Sequence, residues 1–486
     1  MDERAQKLHN ALLELHAMKA ERTHLNDLRT ELHHTIEAAN KSVGGAAAEL
    51  KARFHATQAA ADKAQFTSHI MSLGQYRSID ANDPSVNDPI DHVQVMVSSS
   101  VAAPGDIISF RPGVYVGENV VFEESLLTPA SDRVGLLGEP SIGDLGVTIQ
   151  GVESDRSLVC IERTAEGDEE SPVITIRGDR KVVIRNMTIR QVRGIGAAAI
   201  RVEGPGATLV IENCYVEAGN GPCIAVQAEA KCYIRRCELV ETLHCGVRVH
   251  SAKAVDVFDT VFDRNLTSAV IVDGQCGSIV LKGCTIKHCA EGSSISLRAK
   301  SAGKVFIHGT TIESAGRHGL EVEVGSRWQV IVADSVFGSS KLCNCFIGGL
   351  SGFGSSSIEN VQFGPADLSC LCMTLPAEAS KRLIGSTVDL KALPAMIHNR
   401  FSGARQHGIL LFLGIGGTAA FGADEASFSS LRASLEIGHA AAAKDKIEGS
   451  TAASEGLQSA IGQHLASTGN SFLGIDHKVR VVDHMS

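Results

Sequence analysis

Aromatic side chains are scarce in this sequence, at 4% of 486 residues, with one tryptophan and four tyrosines. That supply excludes a thick core built on large rings. Glycine, by contrast, reaches 48 residues, which suits a narrow, repetitive β architecture with many tight turns. Positive charge is in deficit too, with a net of −10. A broad basic face for a phosphate backbone is therefore excluded, and no nucleic-acid partner is expected. No apolar run follows Met1-Asp2-Glu3-Arg4, so a secretory signal is not expected and a cytoplasmic location is. The longest apolar stretch, GILLFLGIGGTAAFG (408–422), is too short and glycine-rich for a bilayer, which takes about 20 residues, so a buried segment is expected and no membrane span. The 13 cysteines are odd in number and scattered, which reads as reduced thiols rather than a disulfide framework.

Three regions and a linker follow from the pattern. Residues 1–75 read as helical. One heptad seam runs through Leu8, Leu15, Arg22, Arg29, Ile36, Val43 and Leu50, and the other through Ala11, Met18, Leu25, Leu32, Ala39 and Ala46. That spacing keeps one stripe on a partner helix, either in a homodimeric coiled coil through residues 8–50 or in a hairpin folded onto the chain's own β domain. Residues 76–100 are a turn-rich linker with Asp80, Asn82, Asp83, Pro84, Asn87, Asp88 and Pro89.

Residues 101–364 carry an internal repeat. The segments VIRNMTI, VIENCYV, YIRRCEL, DVFDTVF, VLKGCTI, FIHGTTI, IVADSVF and SIENVQF centre on Asn186, Asn213, Arg236, Asp259, Gly283, Gly309, Asp334 and Asn360. Successive centres are 27, 23, 23, 24, 26, 25 and 26 residues apart. A second short strand follows most of them: AAIRV, PCIAV, CGVRV, SAVIV, SSISL, HGLEV. Period-two alternation and abundant valine and isoleucine specify strands, and no segment is long enough for the helix of an α/β horseshoe. The predicted fold is mainly β: a right-handed single-stranded parallel β-helix behind an N-terminal helical, coiled-coil-like segment. One row just after the turn (Met187, Cys214, Cys237, Thr260, Cys284, Thr310, Ser335, Val361) should point inward. So should the row two residues on (Ile189, Val216, Leu239, Phe262, Ile286, Ile312, Phe337, Phe363). The cysteines there read as small ladder residues. Residues 365–486 show no repeat and read as irregular and partly helical, with Leu431–Ala443 as the candidate helix.

The stretch GDIISFRPGVYVGENVVF (105–122), followed by VGLLGE (134–139) and VTIQG (147–151), resembles the opening of the pectin-lyase-like β-helix superfamily of the carbohydrate-binding and sugar-hydrolase type. The resemblance covers residues 100–364 and is specific for fold rather than activity. It implies one of two settings. Extracellular members cleave or bind polysaccharides. Intracellular members hold proteins, as the F-box β-helix ubiquitin-ligase adaptors and the Shc-binding spindle and midbody proteins related to nessun dorma do. A helical segment ahead of the solenoid resembles the second set, which implies a cytoskeletal or cell-division association, although residues 1–75 show no F-box.

Enzyme chemistry finds little support in the residues. Hydrolysis needs two carboxylates about 5–10 Å apart. The outward rows Arg201, Ala225, Arg248, Ile271, Ser296, Glu321 and Glu203, Gln227, His250, Asp273, Arg298, Glu323 mix signs without a tight acidic pair. Asp256, Asp259 and Asp263 form the densest acidic spot, and Arg317-His318-Gly319 reads as a solvated histidine. Cys343-x-Cys345 and Cys370-x-Cys372 lack the usual zinc spacing, so packed thiols are expected, with no metal and no cofactor.

One outward row breaks the polar rule: Val183, Val210, Tyr233, Val280, Phe306 and Ile331, interrupted by Asp256 and closed by Ser357. A patch of that kind asks for a cover. The candidates are the N-terminal helix, the Leu410–Leu413 run, or a partner protein. The reading that follows is a non-catalytic scaffold that recognises a protein through this face. A carbohydrate-binding protein or polysaccharide lyase or hydrolase is one alternative, and the recognition subunit of a ubiquitin ligase is the other.

Overall fold

The computed structural model describes residues 76–79, 106–116, 120–123, 146–163, 171–298, 300–324, 326–348, 356–374, 393–413, 452–473, 475 and 477–483. The coiled-coil segment, its seam over residues 8–50 and the helix expected over 431–443 lie outside the described residues.

The described strands form three parallel sheets of twelve strands each. Sheet 1 runs from Tyr76–Ile79 to Ala395–Ile397, sheet 2 from Gly113–Val116 to Ser471–Leu473, and sheet 3 from Val120–Phe122 to His477–Asp483. Each coil contributes one strand to each sheet and hydrogen-bonds to the coils before and after it, so every strand finds its equivalent about 4.8 Å away. The stack does not stop at residue 364. The segments Ser369–Thr374, Ala395–Ile397, Arg400–Ser402, His407–Leu413, Ser471–Leu473 and His477–Asp483 continue it in register. Helix α1, Ala452–Ser467, lies in the stretch that sequence reads as irregular and partly helical, C-terminal to the candidate helix Leu431–Ala443. Its Leu457, Ile461 and Leu465, four residues apart on one face, are buried in the solenoid core.

The turn between sheets 1 and 2 explains the repeat. Asn186, Asn213, Arg236, Asp259, Gly283, Gly309, Asp334, Asn360, His398 and Gly469 all adopt φ between 49° and 77°. This left-handed conformation is natural for Gly, Asn and Asp, which is why those residues dominate the row. The peptide N–H at every centre but Gly469 still reaches the next coil, as from Asp259 to the Lys282 carbonyl (2.9 Å) and from Gly283 to that of His308 (3.0 Å).

The inward row after the turn is chosen for more than size. Cys214, Cys237, Thr260, Cys284, Thr310 and Ser335 each donate from sulfur or hydroxyl to the carbonyl two residues back, at 3.3, 3.2, 2.8, 3.6, 3.3 and 2.7 Å. Those carbonyls also accept the turn N–H of the preceding coil, so both lone pairs are used. Cys, Thr and Ser share the row because each offers a short buried donor. The next inward row ends in a ring stack, Phe337–Phe363–Phe401–Phe472, with centroids 5.4, 4.9 and 4.8 Å apart. All 13 cysteines are buried and free.

Candidate functional site

Sheet 3 presents two outward features, one open and one closed. The open one is a ladder along its C-terminal edge. Arg177, Glu203 and Gln227 are in register on adjacent coils, and His250, Asp273, Arg298 and Glu323 follow on the next four. Unlike charges alternate where like charges would otherwise stack at coil spacing. Arg177 and Gln227 both donate to Glu203, the latter at 2.7 Å. Asp273 accepts from Arg248 at 2.8 Å and meets His250 Nδ1 at 3.1 Å, while Arg298 lies 3.4 Å from Glu323. Arg177, Glu203, Gln227, His250 and Ser251 line an open cleft of about 530 Å³, floored by Gly204 and Ala228.

The floor is strained. Ala228 and Glu229 follow one another at φ 54° and 62°. Each non-glycine residue held there costs roughly 1–2 kcal/mol, a cost that clusters at functional sites.

Burial favours neutral Glu203, but hydrogen bonds from Arg177 and Gln227 outweigh it and hold the carboxyl below its ordinary value. A general acid needs the opposite shift. Glu203 is also the single carboxylate lining the cleft among the described residues, where glycoside hydrolysis takes two.

The closed feature lies outward on the later coils. Ser293, His318, Cys343, Ser369 and His407 occupy one row at the start of the sheet 3 strands, all buried. Glu321, 3% exposed, accepts from Ser293 at 2.5 Å and faces Arg317 at 3.6 Å. Cys343, Phe346, Cys372 and Leu410 form an apolar cluster separate from the solenoid core, backed by Val324, Leu342 and Leu368. His318 is 1% exposed and stacks on Phe346 at 5.2 Å, so it is not the solvated histidine that alternation suggested. Alternation cannot foresee a cover over an outward row, and that is why this cluster escapes a reading of the sequence.

The remaining sequence candidates separate. Asp256 lies buried on the outer row of sheet 1, Asp259 is a turn centre, and Asp263 pairs with His288 at 2.7 Å on sheet 2, so the three do not converge. Each Cys-x-Cys pair splits: Cys345 and Cys370 point into the core, while Cys343 and Cys372 sit in the outer cluster. No group of metal-ligating side chains occurs among the described residues. The apolar stripe forms one ladder on sheet 1, pairing Val183, Val210, Tyr233, Asp256, Val280, Phe306 and Ile331 in order. Val183, Phe306 and Ile331 are buried, and Val210, Tyr233 and Val280 are half-buried. The Leu410–Leu413 run is part of a sheet 3 strand and is not their cover.

Residues 171–337 match the family model described as the right handed beta helix region. The solenoid is a right-handed parallel β-helix. No curated protein matches the chain. Among solved structures, the chain is similar to the catalytic unit of a thermostable GH87 alpha-1,3-glucanase from Streptomyces thermodiastaticus strain HF3-3, at 14% identity and a TM-score of 0.34 over 68% of this chain. It spans 65% of that glucanase chain. It is also similar to ORF18 of Geobacillus virus E2, at 12% identity and a TM-score of 0.30, covering 64% of each chain. A third similarity is to a mannuronic acid specific polysaccharide family 6 lyase from human gut microbiota, at 10% identity and a TM-score of 0.25, covering 75% of this chain and 94% of the other. Within the right-handed β-helix, the open cleft lies at the end of the sheet 3 strands of its early coils, the second to the fifth of twelve. No helix among the described residues is long and apolar enough to cross a membrane.

Proposed function

We propose that this β-helix is a non-catalytic binding module that takes an extended carbohydrate chain along the polar ladder of sheet 3. The observation that carries the reading is the open cleft itself. Arginine, glutamate, glutamine and histidine side chains recur at coil spacing beside it. Planar polar groups of that kind suit the closely spaced hydroxyls of a sugar chain, to which they can both donate and accept. The carboxylate in the cleft is ion-paired and acid-shifted, which favours recognition over general-acid catalysis. Recognition of a protein through the stripe Val183–Ile331 ranks behind this reading, because half of the stripe's six apolar residues are buried and the others half-buried.

The test is affinity electrophoresis of the full chain through gels cast with a neutral glucan or with alginate. Retardation by at least one of them, reduced about tenfold by Gln227→Ala with His250→Ala, is the expected outcome. Equal migration of both proteins in every gel would overturn the reading.

A further inference from the structure

The outward face of sheet 3 is charged residue by residue and balanced as a whole. Over the coils from Ile174–Arg177 to Leu320–Val322 it carries Arg177, Arg201, Arg248 and Arg298. Against these four arginines stand four carboxylates, Glu203, Asp273, Glu321 and Glu323. Three of the arginines are ion-paired with a carboxylate of the next coil: Arg177 with Glu203, Arg248 with Asp273 at 2.8 Å, and Arg298 with Glu323 at 3.4 Å. Arg201 precedes Glu203 by two residues on the same strand, and its charge acts on that carboxylate too. At the ends of the face, Arg317 lies 3.6 Å from Glu321 and Glu123 lies 4.0 Å from Arg177, which keeps the balance.

The pairs are also layered. In each of the three, the carboxylate is the less exposed partner and the guanidinium the more exposed. The carboxylate oxygens are occupied. Glu203 accepts from Arg177 on one oxygen and from Gln227 on the other. Asp273 accepts from Arg248 on one oxygen and meets His250 Nδ1 on the other. A guanidinium has five N–H groups, of which Arg177 spends one on Glu203 and Arg248 spends two on Asp273. The face therefore offers N–H donors to a ligand without offering net charge.

We propose that this ladder selects an uncharged glycan and discriminates against polyuronates and other polyanions. The inference rests on the carbohydrate reading above and names the class of chain. A sugar hydroxyl or ring oxygen accepts an N–H without bringing a charge of its own. An anion drawn to one of these guanidinia meets the repulsion of the carboxylate beside it, and at such short range the two forces oppose each other. Selectivity of this kind comes from a cost placed on the wrong ligand. The chain's net charge of −10 adds a longer-range repulsion of any polyanion.

The experiment applies the full chain, fluorescently labelled, to an array of neutral and uronate-containing oligosaccharides of matched length, at low and high salt. Signals should be confined to neutral glycans and should hold between about 50 mM and about 500 mM salt, since no net charge is there to be screened. Uronate-containing glycans should bind about tenfold more weakly or not at all. Asp273→Asn with Glu323→Gln removes the carboxylates from Arg248 and Arg298. It should raise binding to the uronates about tenfold at low salt, a gain that misfolding cannot produce. Strongest signals on the uronates, signals lost at high salt, or a variant with no such gain would each overturn the inference and leave carbohydrate binding in place. An array without signal would overturn the carbohydrate reading, and the inference with it.

Discussion

The recurring left-handed residue is the smallest unit of this fold. Ten turn centres share it, and most are Gly, Asn or Asp. Arg236 and His398 are the exceptions, at φ 51° and 55°. A long side chain gains nothing from this backbone and costs about 1 kcal/mol relative to a residue that tolerates it. In its ion pair with half-buried Glu212 the Arg236 side chain itself is largely solvent-exposed, so the pair offsets little. Arg236→Asn should therefore raise the free energy of unfolding by about 0.5–1 kcal/mol. Equilibrium denaturation reads it, and a loss of stability would show that the ion pair outweighs the backbone.

At the scale of elements, the coils from Asn186 to Asn360 were legible because each repeats one turn residue and one larger apolar residue. A short inward donor lies between them in all but the first and last. The later coils were not, for a countable reason. Turn centres Asn360, His398 and Gly469 stand 38 and 71 residues apart, so the period is lost although strand pairing continues. Helix α1 hid for a different reason. Its Ala-, Ser- and Gly-rich composition looks like a loose tail, and only Leu457, Ile461 and Leu465 mark the buried face. That helix packs on the last coils, where parallel strands would otherwise end in unpaired edges. The Thr468 carbonyl accepts from His398 N–H, and Asn470 bonds the Met396 carbonyl at 2.9 Å. Ile461→Asp removes a side chain that is 1% exposed and buries a carboxylate in its place. It should cost at least about 3 kcal/mol and promote end-to-end association through the uncovered edges. Denaturation and size-exclusion chromatography measure both effects. An unchanged midpoint with unchanged elution would mean the cap carries no load.

For the molecule as a whole, the inward rows, the ladders and their registers followed from period-two alternation. The two outward sites did not, because alternation tells inside from outside but is silent on what lies over an outward side chain. Ser296 and Glu321 continue the row of exposed Arg248, yet they are 2% and 3% exposed. The cleft beside Arg177, Glu203, Gln227 and His250 stays open and carries the functional reading. A binder that does not cut leaves its polymer intact. The most direct measurement is therefore size-exclusion chromatography with light scattering on a polysaccharide that the chain retards, before and after prolonged incubation. Co-elution of protein with polymer of unchanged chain length is the predicted result. Shortening of the polymer, or failure to co-elute, would contradict it.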